Sequence, residues 1–167
     1  MEPIYLKGKC TWNMLQQPDT KYGEARWRIV LYPDKDSLEI VHKLLDQGLM
    51  NELKKDDDGY FMNFARPVSK NFGYGKSELL TPVIVLDKDN SPFYGAIGHG
   101  SDVTIKLDVY KFAPRGQKDA PKKVAVRLNT VRVDNLVPFE PKRDYTMEQQ
   151  MQMKGIDKQS PPQAYPF

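Results

Sequence analysis

Between Asp102 and Tyr110 every second residue, Val103, Ile105, Leu107 and Val109, is apolar, and the residues between them are polar or amphipathic. A period of two describes a strand with one face in a core, whereas a helix would repeat its apolar positions every three or four residues. The strand is entered through Gly95-Ala96-Ile97-Gly98-His99-Gly100-Ser101. Because a strand and not a helix N-terminus follows, these glycines read as backbone geometry for a tight turn or bulge rather than as a phosphate cradle. A polar link from Ala113 to Lys123, containing prolines, leads to a second β-branched run, Val124 to Val133, which ends at Leu136-Val137-Pro138-Phe139-Glu140. In that run Val124, Val126 and Leu128 share a face, after which Val131 and Val133 take over. The change of phase near Asn129 predicts a bulge, so Arg127 and Arg132 need not lie on one face.

The same residues carry a resemblance. The order Ile97-Gly98-His99-Gly100-Ser101, an alternating strand ending in Val109-Tyr110, a short link, Val126 to Val133, then Leu136 to Glu140 resembles the C-terminal half of the single-stranded DNA-binding proteins of tailed bacteriophages. The resemblance covers Tyr60 to Glu140 well and the N-terminal half loosely. It implies an OB-fold and a protein that coats and protects single-stranded DNA in phage DNA replication and recombination, largely without sequence preference. The expected fold is mainly β: an OB-fold-like barrel of five or six strands with one inserted α-helix. Residues 1–140 would form the DNA-binding domain and 141–167 a flexible, partly disordered C-terminal tail.

At 167 residues the chain is long enough for one domain with a core and some appended elements. No apolar run approaches a membrane span and the start Met1-Glu2-Pro3-Ile4-Tyr5 lacks a signal-peptide layout, so the expected location is the cytoplasm, here of an infected host cell. A single cysteine, Cys10, excludes an internal disulfide, and with His42 and His99 alone it makes no zinc set, so no cofactor or metal is expected. The net charge of +3 is unevenly spread. Asp34 to Asp58 holds eight acids against four lysines, whereas Asp102 to Glu140 holds eight Lys/Arg against five acids. The acidity is local to the helical segment and the strands are basic, which suits a polyanion because each paired phosphate releases counterions.

From the N-terminus, Ile4, Leu6, Cys10, Trp12 and Met14 are expected on the core side of a first strand, with Lys7 and Lys9 opposite. Gln16 to Gly23 reads as a turn, and Trp27, Ile29 and Leu31 as the core face of a second strand whose other face carries Arg26 and Arg28. Both tryptophans are therefore expected in the core. Asp36 and Glu39 read as a capping box for a helix with Leu38, Val41, Leu44 and Leu45 on its apolar stripe, interrupted or ended near Gly48, with a continuation through Leu49 and Leu53 to Lys54 left open. His42 is expected at the surface, and Asp56-Asp57-Asp58-Gly59, lacking the spacing of a calcium loop, as a solvated link. Tyr60, Met62, Phe64 and Arg66 alternate as a strand stopped by Pro67, and Thr81 to Leu86 reads as a short apolar strand.

Lys70-Asn71-Phe72-Gly73-Tyr74-Gly75-Lys76 alternates aromatics with glycines between lysines. As a mobile loop it would lay rings on unpaired bases while the ammonium groups sit on phosphate. As a hairpin tip, its rings would fold back onto the sheet. The expected DNA contacts are therefore Lys7, Lys9, Arg26, Arg28, Lys70, Lys76 and Lys106 for phosphates, and Phe72, Tyr74 and Tyr110 for bases. The resemblance further implies that the tail recruits replication proteins, such as a DNA polymerase or a helicase-primase, through its tip Tyr165-Pro166-Phe167. Tails of this kind are usually strongly acidic; this one holds Asp144, Glu148 and Asp157 against Lys142, Arg143, Lys154 and Lys158, which puts competition between tail and DNA in doubt. A homodimer is left open. No serine, cysteine or histidine arrangement converges as acid-base or nucleophilic chemistry requires, so an enzyme is not expected. A structural or adaptor β-domain with incidental charge is the main alternative, and stacking with phosphate contacts would serve RNA equally.

Overall fold

The computed structural model describes residues 3–21, 24–73, 76–112 and 122–138, with side chains outside 71–77. In chain order the elements are β1 (Pro3–Asp19), β2 (Arg26–Pro33), α1 (Lys35–Asp46), β3 (Lys54–Asp56), β4 (Gly59–Pro67), β5 (Ser69–Gly73), β6 (Lys76–Leu79), β7 (Ile84–Leu86), β8 (Asp102–Phe112) and β9 (Lys123–Asn135). Seven strands form one sheet in the order β3-β4-β2-β1-β8-β9-β7, and β5 and β6 pair separately. The five long strands, β4-β2-β1-β8-β9, are joined by antiparallel ladders. The sheet coils until its ends β4 and β9 meet without pairing as strands. This is the partly open barrel of an OB-like fold, mainly β, with one helix inserted between the second and third barrel strands. The short strand β3 and the β5–β6 ribbon are additions to the expected five or six. The expected tail, 141–167, lies outside the described residues.

The period of two places Leu6 and Cys10, Ile29 and Leu31, Met62 and Phe64, and Val103, Ile105 and Leu107 together in the interior, each essentially without solvent exposure. Burying each of the large apolar side chains contributes about 1.5–3 kcal/mol. Along β9 the anticipated bulge is present: Lys106 pairs with Thr130 and Leu107 with Leu128, leaving Asn129 as the extra residue. Its consequence is arithmetic. Arg127 opposite Asp108 and Arg132 opposite Thr104 are brought back to the same face of the sheet.

In β1 the expected phase fails. Cys10 pairs with Leu31 and Asn13 with Ile29, so Thr11 and Trp12 together oppose the single residue Val30. Beyond this bulge Leu15 takes the buried place, Met14 is only half-buried, and Trp12 is 48% exposed, which corrects its assignment to the core. Trp27, on the unbroken β2, is buried as expected. The strand also continues through the predicted turn at Gln16, because Gln16 Nε2 donates to the Phe93 and Gly95 carbonyls at 3.2 and 3.1 Å and fastens it to the segment before β8. A second register shift, between Met14 and Asp19, accommodates Pro18.

The helix is capped one residue pair earlier than the box predicted: Asp34 Oδ1 accepts from the Ser37 backbone N–H at 2.8 Å. It ends at Gln47, and Gly48 follows at φ +99°, a conformation that favours glycine. Leu49 to Leu53 does not continue it. Val41 and Leu44 enter the core, and Ser37 Oγ accepts from the Lys7 N–H at 2.7 Å, docking the helix on β1. Only Ile84–Leu86 of the expected apolar strand pairs, parallel to β9. Gly98 is required for proximity: a Cβ there would stand 2.1 Å from the Val137 carbonyl oxygen. Its N–H donates to that oxygen at 2.9 Å, and Ser101 Oγ accepts from the Val137 N–H at 2.8 Å, so the glycine turn ties the end of β9 to the start of β8.

Candidate nucleic-acid interface

Two ends of the β1–β2 ladder carry the expected cations, and they differ. At one end Lys9 lies opposite Tyr32, while at the other Arg28 lies opposite Met14 and Arg26 opposite Asp19. Strand alternation places Arg26 and Arg28 on the outer face of β2, cross-strand from Pro67 and Ala65 of β4. That face borders the open β4–β9 seam, where Arg26, Arg28, Lys70 and Arg127 line one groove together with Asn51 and Asn63. Glu24 is the carboxylate on its rim. Asn51 is held by donating from Nδ2 to the Asn63 carbonyl at 2.8 Å.

The cations of this groove are not equally available. Arg28 Nε stands 3.6 Å from Asp19 Oδ2, an almost buried carboxylate, so part of its charge is already opposed. Arg26 is exposed. Arg127 stacks over the Tyr110 ring at 5.0 Å and donates from Nη1 to its hydroxyl at 3.3 Å, which covers one face of that expected stacking residue. Beneath the groove Arg66 is buried. Its Nε donates to the Thr81 carbonyl at 2.6 Å, Nη2 to the Thr81 hydroxyl at 2.8 Å, and Nη1 reaches the Leu128 carbonyl of β9 at 3.4 Å. Burial first, and then the charge of Arg127, push the Arg66 guanidinium below its ordinary pKa. It remains a cation and adds positive potential under the seam.

Lys7 and Lys9 stand elsewhere. They line a shallow depression with Tyr32, Asp34, Asp102 and Asp134, where carboxylates outnumber them, and Lys9 Nζ is 3.2 Å from Asp102 Oδ1. Lys106, expected to be exposed, is half-buried on the outer face of β8 opposite Tyr5. The segment read as either a mobile loop or a hairpin tip is paired at its base as a ribbon, with Ser69 opposite Leu79 and Lys70 opposite Glu78. Lys70 is exposed at its base. The side chains of Phe72 and Lys76 lie outside those described, as do Tyr74 and the tail tip Tyr165, Pro166 and Phe167. The structure thus gathers Arg26, Arg28 and Lys70, separates them from Lys7 and Lys9, and adds Arg127, Asn51 and Asn63. Only the odd spacing around Asn129 hinted at Arg127 in the sequence.

Cys10 is a buried apolar residue whose thiol is pushed up to about 11, mainly by desolvation. His42 is exposed, edge-on to the Tyr60 ring at 6.4 Å. Asp56 accepts a short hydrogen bond from the Tyr32 hydroxyl, which raises that phenol to about 12. Among the described residues no group of three or more His, Cys, Asp or Glu can hold a metal ion, and no helix is long and apolar enough to cross a membrane.

No family model matches the chain, and no curated protein sequence matches it. Solved structures do. The chain is similar to gp2.5, a single-stranded DNA-binding protein encoded by bacteriophage T7, with a TM-score of 0.59 and 13% identity over 95% of this chain and 97% of that one. It is also similar to the single-stranded DNA-binding protein from bacteriophage Enc34 in complex with ssDNA, with a TM-score of 0.53 and 14% identity over 84% and 89% of the two chains. At such identities the likeness establishes a shared fold, that of phage single-stranded DNA-binding proteins.

Proposed function

We propose that this chain binds single-stranded DNA, coating and protecting it in phage DNA replication and recombination with little sequence preference. The observation that carries the reading is the groove at the β4–β9 seam. Arg26 and Arg28 of the second barrel strand, Lys70 of the β5–β6 ribbon and Arg127 of β9 converge there, beside the second and third barrel strands whose face OB-folds use for oligonucleotides. Its amides Asn51 and Asn63 offer hydrogen bonds without a sequence code. The fold shared with gp2.5 and with the Enc34 protein, which was solved with ssDNA bound, supports the same reading.

In this mechanism the groove cations neutralise phosphates, releasing counterions, with Lys7, Lys9, Lys76 and Lys106 as weaker or peripheral contributors. Phe72 and Tyr74 supply rings to the bases, and the free face of Tyr110 extends that platform. The chemistry is binding rather than catalysis, in the cytoplasm of the infected cell. Tyr165, Pro166 and Phe167 recruit replication proteins.

The test is a titration of labelled oligo-dT and a matched duplex at several salt concentrations, with the Phe72→Ala/Tyr74→Ala chain alongside. Tight, salt-dependent preference for oligo-dT is expected, weakened at least tenfold in the double variant, at roughly 1–3 kcal/mol per stacked base. No binding to oligo-dT at low salt would overturn the reading and favour an adaptor domain.

A further inference from the structure

The bulge in β1 turns Trp12 away from the core and leaves it 48% exposed, although it is a large apolar ring in the middle of a barrel strand. It stands over an open depression walled by Met14, Ile97, His99, Val137 and Pro138. Among the described residues no carboxylate lines this depression, in contrast to the one around Lys7 and Lys9. Its shape is held from below: Asn13 Nδ2 donates to the Ile97 carbonyl at 3.1 Å and Gln16 Nε2 to Phe93 and Gly95, so the strand carrying Trp12 is fixed against the neighbouring loop. Bulges of this kind re-aim side chains beside binding sites.

One cross-strand pair of the β1–β2 ladder links the depression to the basic groove. Met14, one of its walls, is the cross-strand partner of Arg28, which lines the groove. A polyanion leaving Arg28 along this surface therefore meets an exposed indole whose depression is lined, among the described residues, by no acid. We propose that Trp12 is a base-stacking residue, extending the single-strand path from the β4–β9 seam across β1. The inference rests on the single-strand-binding reading above. An unpaired base fits the surface because its π-face suits indole while its phosphate takes the charge of Arg28.

The experiment uses the full chain and its own fluorescence. The protein has two tryptophans, and Trp27 is 7% exposed, so quenching on binding reports Trp12. Unlabelled oligo-dT is titrated at low salt while tryptophan emission is read, and the anisotropy of labelled oligo-dT reports binding independently. Emission is expected to fall in the native chain and to stay unchanged in Trp12→Phe, where only Trp27 emits. Trp12→Ala is expected to weaken binding about tenfold, and Trp12→Phe, which keeps a ring, less than about threefold. Both variants should keep a native-like thermal midpoint, because the removed ring is half-exposed. Binding by anisotropy with the same quenching in Trp12→Phe, or with unchanged affinity in Trp12→Ala, would overturn the inference and leave the function standing. So would a Trp12→Ala chain that loses a dimer seen by sedimentation while binding oligo-dT as before. Failure of every chain to bind oligo-dT would overturn both.

Discussion

At the scale of single residues, Arg66 shows how a core-phase position can hold a charge. The alternation Tyr60, Met62, Phe64, Arg66 puts its Cβ inside, and the guanidinium is tolerated because three of its donors find acceptors on Thr81 and Leu128. It is also the link across the edge where β4 and β9 do not pair. Replacing Arg66 with Ala leaves the Thr81 carbonyl without its partner and opens the seam, and is expected to cost about 3 kcal/mol in urea unfolding. Arg66→Met, which keeps most of the volume, separates the packing loss from the hydrogen-bond loss. An unfolding midpoint unchanged in both variants would show that the seam holds without Arg66.

Among the elements, α1 and the two bulges separate local rules from non-local ones. The helix was readable from its stripe and from Gly48, but its cap was not assigned correctly, because Asp34 and Asp36 are both good capping residues and only the docking of Ser37 on the Lys7 N–H decides between them. Asp34→Ala is expected to lower stability by about 1 kcal/mol and Asp34→Asn by much less, with oligo-dT affinity unchanged in both. Thermal unfolding alongside a binding titration checks this. A large loss of affinity would place the acidic helix in the interface. The β9 bulge was readable because apolar residues flank it in both phases. The β1 bulge was not: Trp12 and Met14 continue the apolar alternation by composition, and the register of β2 alone shows that two residues share one place.

For the whole molecule, coiling of the sheet determines which cations act together. Arg26, Lys70 and Arg127 come from three separate elements and meet only because β9 returns to β4. Lys7 and Lys9 follow the same outward phase but face Asp34, Asp102 and Asp134. Each phosphate neutralised on a single strand adds about 0.7 to the slope of log affinity against log salt. An Arg26→Gln/Lys70→Gln/Arg127→Gln chain is therefore expected to lose about 2 from that slope, and Lys7→Gln/Lys9→Gln less than about 1. Equal losses would mean that the DNA path crosses both ends of the β1–β2 ladder.

The sequence by itself determined the strand and helix inventory of the barrel, the buried faces of β2, β4, β8 and β9, the bulge at Asn129 and the basic character of the strands. These follow from the fixed alternation of side chains along an extended backbone and from the helical period, which are local. Only the tertiary structure decided that Trp12 is exposed, that Arg66 bridges the seam, and that Arg127 joins Arg26 and Lys70 while Lys7 and Lys9 do not. Those outcomes depend on cross-strand register and on the closure of a coiled sheet, where hydrogen bonds between residues far apart in the chain override the local phase.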